Sequence, residues 1–583
     1  MGIGRKSMDD GAKKTDLEKV EEGVAEAPVL TRRDILQGAA VAGTVAAIPA
    51  STLIPSPVDA EGRSKKKARG RSKGTVVRRK EDRFPALTQG FNRRFEGHPT
   101  QIAYVESARD IEIILERAAR KKKGVTIRSG GHCYEGWCVN PGIAGMQIET
   151  LIDMSLMTGI YKETRDRRLR GSVAIEAGAE LWHVYRYMYQ AFGATPPAGS
   201  CYSVCAGGHI SGGGYGLMSR LQGVVVDHVA GLEIVVLGRN GRARTLIVTE
   251  HDTGAKGELF WAVCGGGGGN FGVVTRFWVR PLDAMNAVQI TQIDFSPTAP
   301  VEELAQILQV YGAFWEENNR PDPQDPTNQI FGIMKLNVKR VVGAGGLREG
   351  ASSILVQWSV EDEEDLGPVG TNDPFTNYML EALNGDGIET TGTSVLRYGW
   401  LEAAQTLNGS GPNQRGKYKS AYMKENFTPE EALGLAEFTE NRDGHFDDGD
   451  SGLIQIDSFG GMVNAQESDF RAYPHRSSCL ALQWHFHWYR EPSSLQHEGV
   501  PDARDEEIIG WVNRGYEQIY GPDGPMDGPH YEGTYVNYPD SALPRDKYGE
   551  LYYIGNYPRL QAAKKRWDPL NFFRFDQSIQ PQD

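Results

Sequence analysis

The sequence predicts an α+β protein of more than one domain, and three observations predict it. The chain has 583 residues, enough for two or three cores at about 150 residues each. Between residues 84 and 285, buried-looking strands alternate with glycine clusters, while from about 286 to 525 strands alternate with longer helical stretches. Hydrophobic residues make up 39% and charged residues 24%, which is ordinary for a globular protein. The 70 glycines exceed the usual share of about 7% and imply many close backbone approaches.

Residues 1–60 read as a twin-arginine export signal. Thr31-Arg32-Arg33-Asp34-Ile35-Leu36-Gln37 precedes a weakly apolar stretch from Gly38 to Ile48, and Val58-Asp59-Ala60 offers a small-residue cleavage site. A disordered terminus with a chance arginine pair is the other reading. Twin-arginine export carries folded proteins, so a tightly held cofactor and a secreted location are expected, with the translocon as a transient partner. Residues 61–83 read as a basic linker. Of these, 61–80 carry ten basic groups against one acidic, whereas 1–60 carry seven against nine, which leaves the remaining chain at a net −20 within a total of −13. So acidic a body argues against a nucleic-acid partner, because duplex binding rests on Lys and Arg neutralising phosphates. No apolar run approaches the roughly 20 residues of a membrane span. Six cysteines in a chain of this length are no disulfide framework.

The first domain, placed at 84–285, begins with a strand from Pro99 to Val105. Ser107 then caps a helix with Ile111, Ile114 and Ala118 on one face, and Val125-Thr126-Ile127 forms the next strand. Leu232 to Leu237 is a further buried strand. Within 286–525, Val288 to Phe295, Ser353 to Val360, Leu453 to Phe459 and Cys479 to Tyr489 read as strands of an antiparallel sheet. Helices over 301–318, 428–440 and 503–519 cover one of its faces. The closing stretch, 526–583, reads as two tyrosine-rich strands and the segment Arg566 to Ile579.

Several motifs carry no chemistry of their own. Gly267-Gly268-Gly269-Asn270-Phe271-Gly272 satisfies G-x-G-x-x-G, but the strand-like Val273 to Val279 follows where a dinucleotide fold needs a helix. Gly411 to Lys417 is nearly a phosphate loop, with Tyr418 where Ser or Thr must reach magnesium. His485 and His487 share one side of a strand, yet no third metal ligand is evident, and the cysteine spacings are not those of structural zinc. No metal is expected.

Arg128-Ser129-Gly130-Gly131-His132 stands at a strand exit where glycines let a backbone approach a ligand and an imidazole can attack it. Downstream lie Pro197-Ala198-Gly199-Ser200-Cys201, then Val204 to His209 and Gly212-Gly213-Gly214-Tyr215-Gly216. Read alone, His132 is a hydrogen-bonding loop residue and Cys201 a small buried hydrophobe. Together with Tyr535-Val536-Asn537-Tyr538, Trp567 to Arg574 and Gln577-Ser578-Ile579, these segments resemble the berberine bridge enzyme-like FAD-linked oxidases of the vanillyl-alcohol oxidase superfamily. The texture is that of bacterial secondary-metabolite and sugar oxidases.

The resemblance covers about 84–285 and 526–580. It implies a PCMH-type FAD-binding domain of two α/β subdomains, a substrate domain, and a C-terminal segment that returns to the first domain. It further implies bicovalent FAD, with His132 on the 8α-methyl and Cys201 on C6. Arg128, Ser129, Gly130, Gly131, Cys133, Gly207, Gly208, His209, Gly212, Gly213, Gly214, Tyr215 and Asn537 would surround the cofactor. Val204, small where the family has its gatekeeper, implies molecular oxygen as acceptor. Tyr535 and Tyr538 are the candidate bases. A free phenol near pKa 10 lies about three units from neutrality, a penalty of roughly 4 kcal/mol that the surroundings must offset. Phe459-Gly460-Gly461 has no tyrosine where relatives carry a second one. Trp484, Phe486, Trp488 and Tyr489 would suit stacking on a sugar or polyketide. The expected reaction is oxidation of an alcohol, either a sugar hydroxyl or one on a glycosylated or polyketide metabolite, with release of hydrogen peroxide. An oxidase of free oligosaccharides and a non-catalytic flavin-fold binding protein are the alternatives.

Overall fold

The computed structural model describes residues 75–342, 347–411, 413–446, 450–488 and 503–582. The export signal and most of the basic linker lie outside the described residues, as does Tyr489. Three sheets organise the chain. The first is four-stranded, in the order Val76–Arg78, Gln101–Tyr104, Ile148–Asp153, Gly124–Arg128, and its last three strands are parallel. Val76–Arg78 pairs antiparallel with Gln101–Tyr104, so the first sheet starts inside the segment that reads as linker. Ser107 caps the helix Ala108–Arg120 by accepting from Asp110 N–H, and Ile111, Ile114 and Ala118 are buried against the sheet, as their spacing predicts.

The second sheet is antiparallel. Its order is Ile160–Lys162, Val173–Glu176, Val273–Val279, Val229–Leu237, Ala243–Thr249. The strand Val273–Val279 directly follows Gly267 to Gly272, so this glycine run opens no helix. Two subdomains thus meet where glycine loops cross.

The third sheet has seven antiparallel strands: Gly392–Gly399, Ala287–Asp294, Ser353–Val360, Ile330–Asn337, Ser451–Ser458, Leu480–Trp488 and Arg415–Met423. One face packs under the helices Val301–Glu317, Pro374–Gly385, Pro429–Thr439 and Ala503–Tyr520 in a continuous apolar core. Alternation along Leu480–Trp488 puts Leu482, Trp484, Phe486 and Trp488 into that core. These aromatics therefore do not offer a stacking surface for substrate, contrary to the sequence reading. Gln483, His485 and His487 take the opposite face.

The closing segment corrects another expectation, because it holds two helices, Tyr548–Tyr553 and Tyr557–Trp567, rather than two strands. Tyr535 to Tyr538 is a turn closed by Tyr538 N–H donating to the Tyr535 carbonyl at 2.9 Å. Strand alternation therefore does not separate the two tyrosines, whose ring centroids are 4.9 Å apart. The Trp567–Asp568 signature terminates the last helix. Asp568 accepts from Phe572 N–H and Phe573 N–H and pairs with Lys564 at 2.8 Å. Ile579 N–H then donates to Asn270 at 2.9 Å, tying the C-terminus to the glycine run.

A buried ion cluster joins the parts. Lys417 of the third sheet bridges Glu135 at 3.0 Å and Asp540 at 2.5 Å, and Lys419 reaches the other Asp540 oxygen at 2.5 Å. The two ammoniums hold the Asp540 carboxyl well below its usual range against the opposing effect of burial. Replacing Asp540 with Asn would leave two buried ammoniums with one carboxylate between them, so D540N is expected to lose about 3–5 kcal/mol in denaturant unfolding. Arg109→Ala, which removes an exposed pair with Glu112, is expected to stay within about 0.5 kcal/mol.

Candidate active site

A cavity of about 450 Å³ lies between the glycine loops of the first two sheets and the uncovered face of the third, a size usual for ligand sites. His132 enters it from the turn after Gly124–Arg128. Gly131 there has φ +77°, and a Cβ on Gly130 would stand 2.9 Å from the Cys205 nitrogen and the Ser203 carbonyl oxygen. Only glycine lets these two loops cross. His132 stacks on Phe91 with centroids 4.6 Å apart, and its Nε2 lies 3.0 Å from Ser203 Oγ. Burial lowers its pKa to about 4, so the ring is neutral at physiological pH and one ring nitrogen carries a free lone pair.

Cys201 lines the same cavity two residues before Ser203. Burial pushes its thiol up to about 11. It therefore rests as a thiol, not as the thiolate expected of a nucleophilic site. Gly409 covers it from the substrate domain, its N–H donating to the Ser200 carbonyl at 3.3 Å. His209 Nε2 accepts from Gly199 N–H at 3.0 Å and shapes the loop that leads into Cys201.

The cavity brings together His132, Cys201, Ser129, Gly130, Gly131, Cys133, Val204, Gly207, Gly208, His209, Tyr215, Tyr535, Asn537 and Tyr538. Arg128 and Gly212 to Gly214 are not among its walls. The Arg128 guanidinium is taken up by Asp153 at 2.7 Å and by the Leu87 and Gln89 carbonyls. Gly212 and Gly213 are pressed against Asn537 and Tyr473. Gly214 N–H donates to the Tyr535 hydroxyl at 3.0 Å. These glycines seat the side chains of Asn537, Tyr473 and Tyr535.

Whether these residues suit an FAD can be tested on the cradle itself. A Cβ on Gly208 would meet nothing within 4 Å and so would project into open space, and Gly267 to Gly269 present bare backbone from the opposite loop. A neutral imidazole and a thiol sit on the walls of the same cavity. The residues fit the group.

Tyr535 and Tyr538 differ in their bonds. The Tyr535 hydroxyl accepts from Gly214 N–H and from Asn537 Nδ2 at 2.9 Å, and burial raises its pKa to about 12. The Tyr538 hydroxyl is 3.1 Å from that of Tyr215, which donates to Asp457 at 2.9 Å. Asp457 is a residue the sequence reading missed. Desolvation lifts it to about 7, opposed by donors from Gln455 and Tyr215. Phe459 packs edge-on against Tyr215 at 5.4 Å, so Tyr215, and not a tyrosine at 459, supplies the second phenol beside Tyr538. The alternation Ser451, Leu453, Gln455, Asp457 against buried Ile454 and Ile456 was the available clue, since it marks a sheet face that is not core.

Residues 99–246 match a family model described as an FAD binding domain, and 534–580 match one described as berberine and berberine like. Aclacinomycin-N/aclacinomycin-A oxidase of Streptomyces galilaeus is 31% identical over 85% of this chain and 87% of its own. Hexose oxidase of Chondrus crispus is 31% identical over 85% of this chain and 93% of its own. A crystal structure of a glycopeptide hexose oxidase complexed with teicoplanin superposes with a TM-score of 0.74 at 28% identity, covering 87% of this chain and 99% of that one. With that coverage, and with the fold and the cradle in agreement, the chain belongs to the berberine bridge enzyme-like family and is an FAD-linked oxidoreductase of PCMH-type architecture.

Proposed function

We propose that the protein is an exported oxidase of an alcohol, either a sugar hydroxyl or a hydroxyl on a glycosylated or polyketide metabolite, with FAD held covalently by His132 and Cys201 and oxygen as the final acceptor. The observation that carries this reading is the line Tyr538–Tyr215–Asp457 opening onto the cavity that His132 and Cys201 share. FAD, when bound, would supply the acceptor for the hydride that leaves the alcohol carbon, with oxygen as the final oxidant and hydrogen peroxide as the product.

The chain's own residues manage the proton. Tyr215 donates to Asp457, so Tyr538 can donate to Tyr215 and turn its free lone pair toward a substrate hydroxyl. The alcohol proton then enters at Tyr538 Oη while one proton moves to Tyr215 and another to Asp457. No free phenolate is formed, which removes the roughly 4 kcal/mol obstacle of ionising a phenol near neutrality. Asp457 suits the role of terminal acceptor because its pKa is about 7. Tyr535 is already committed to Gly214 and Asn537 and forms the wall beside the base. Val204, small and lining the cavity, leaves room for oxygen, and the twin-arginine pattern at Arg32 and Arg33 supports export.

Attachment is tested by acid precipitation of purified protein. His132→Ala and Cys201→Ala are each expected to keep yellow colour in the pellet and the double variant to release it; a wild-type pellet without colour would overturn the covalent reading. For the relay, Asp457 must be deprotonated to accept a proton, so the rate should fall about tenfold per pH unit below about 7. Asp457→Asn should remove that limb. Tyr538→Phe should lower kcat by about 10²- to 10⁴-fold, and a Tyr538→Phe enzyme with unchanged kcat would exclude it as the base.

A further inference from the structure

The face of the third sheet that looks into the cavity carries one lysine. Along Ile330–Asn337, Met334 and Leu336 enter the core while Ile333, Lys335 and Asn337 face the cavity. Lys335 stands opposite Gln455, and Ile333 stands opposite Asp457. The lysine therefore lies two residues along its strand from the Asp457 row, about 7 Å at the usual strand rise. That is roughly the width of one sugar ring from the end of the proton line.

Among the described residues, Lys335 has no ion pair and no hydrogen-bond partner. The nearby carboxylates, Asp457 and Asp294, attract the ammonium without pairing with it directly, and each accepts from neutral donors. Asp457 accepts from Gln455 Nε2 at 2.8 Å and from Tyr215 at 2.9 Å, and Asp294, on the same cross-strand row as Lys335, accepts from Gln292 at 2.7 Å. His485 Nε2, on the same face, is buried without a partner. Burial lowers the Lys335 ammonium to about 8, which leaves it charged at neutral pH. Half-buried on the cavity wall, the ammonium feels Asp457 and Asp294 at a distance but is in direct contact with no carboxylate of the described residues, so its N–H donors face the cavity.

We infer that Lys335 receives a carboxylate of the substrate, placed about one sugar ring from the hydroxyl that is oxidised. The inference rests on the oxidase reading above and deepens it by naming the substrate as acidic. A uronic acid residue of an oligosaccharide and a carboxylated aglycone on a neutral sugar share this chemistry.

Two matched pairs test it. One is cellobiose against the disaccharide with glucuronate at its non-reducing end; the other is phenyl β-glucoside against 4-carboxyphenyl β-glucoside. In the wild type the acidic member of at least one pair is expected to have a kcat/KM at least tenfold higher, carried by KM. Lys335→Gln should bring that ratio to about one, Lys335→Glu should invert it, and Lys335→Arg should retain it. Which pair responds identifies the source of the carboxylate. Equal kcat/KM within both pairs, or a ratio unchanged in Lys335→Gln, overturns the inference.

If no member of either pair is turned over, the oxidase reading fails for these substrates, and calorimetric titration of the same four compounds decides the binding question alone. Binding of an acid at least tenfold tighter than its neutral partner, lost in Lys335→Gln, sustains the inference, and its absence overturns it.

Discussion

The site depends on the buried cluster of Lys417, Lys419, Glu135 and Asp540. Its two positive and two negative groups come from three separate stretches: an edge strand of the substrate sheet, the loop following His132, and the C-terminal segment. Each charge would be costly alone in such surroundings, so the cluster forms only when all three stretches arrive together. Arrival of Asp540 brings Tyr538 and Tyr535 with it, and arrival of Glu135 brings His132 and Tyr134. Neutral contacts extend the same seam. Asn92 exchanges two hydrogen bonds with the Gly416 backbone, and Tyr134 stacks on Tyr418 at 3.7 Å. Cofactor loops and substrate sheet are thus held in register by interactions that tolerate little displacement.

Two aspartates show how surroundings divide labour between identical side chains. Asp540, between two ammoniums, is held far below the usual range despite being buried, and can only be a fixed charge. Asp457 is equally buried but is met mainly by neutral donors, and desolvation brings it to about 7. Such a group can gain and lose a proton during turnover. His132 follows the same logic in reverse, since burial without a carboxylate partner keeps the imidazole uncharged and nucleophilic.

Much of this was legible from the residues. Four of the seven strands of the substrate sheet and the capped helix at Ser107 follow from periodicity, and the strand after Gly272 follows from its β-branched residues, whereas Ile330–Asn337, Gly392–Gly399 and Arg415–Met423 carry no pattern that the sequence reading used. Two kinds of information were not legible. Period-two alternation says that Gln483, His485 and His487 oppose Trp484, Phe486 and Trp488, but not which set meets the core; that depends on where the helices after residue 300 pack. Nor do tyrosines announce a turn. The segment around Tyr535 has the composition of a strand, but Asn537 bonds to the His209 carbonyl and the Tyr535 hydroxyl, and those long-range bonds override local propensity.

The division of the sheet into two faces also explains how one fold can serve many substrates. Stability resides in the apolar face, where each large side chain is locked among helices, and a change there opens a cavity costing several kcal/mol. The loops carry the glycines, His132 and Cys201 that line the cavity, and the sheet adds Asp457 from its polar face. The polar face carries Asp457 and its partner Gln455, but Lys335, Asn337 and His485 beside them fill no core position and can be exchanged at little cost to folding. A lysine on such a face supports no packing in the core. Lys335, on a wall that otherwise carries amides, imidazoles, aliphatic side chains and the Asp457 carboxylate, is accordingly a position through which that wall can select the molecule that enters.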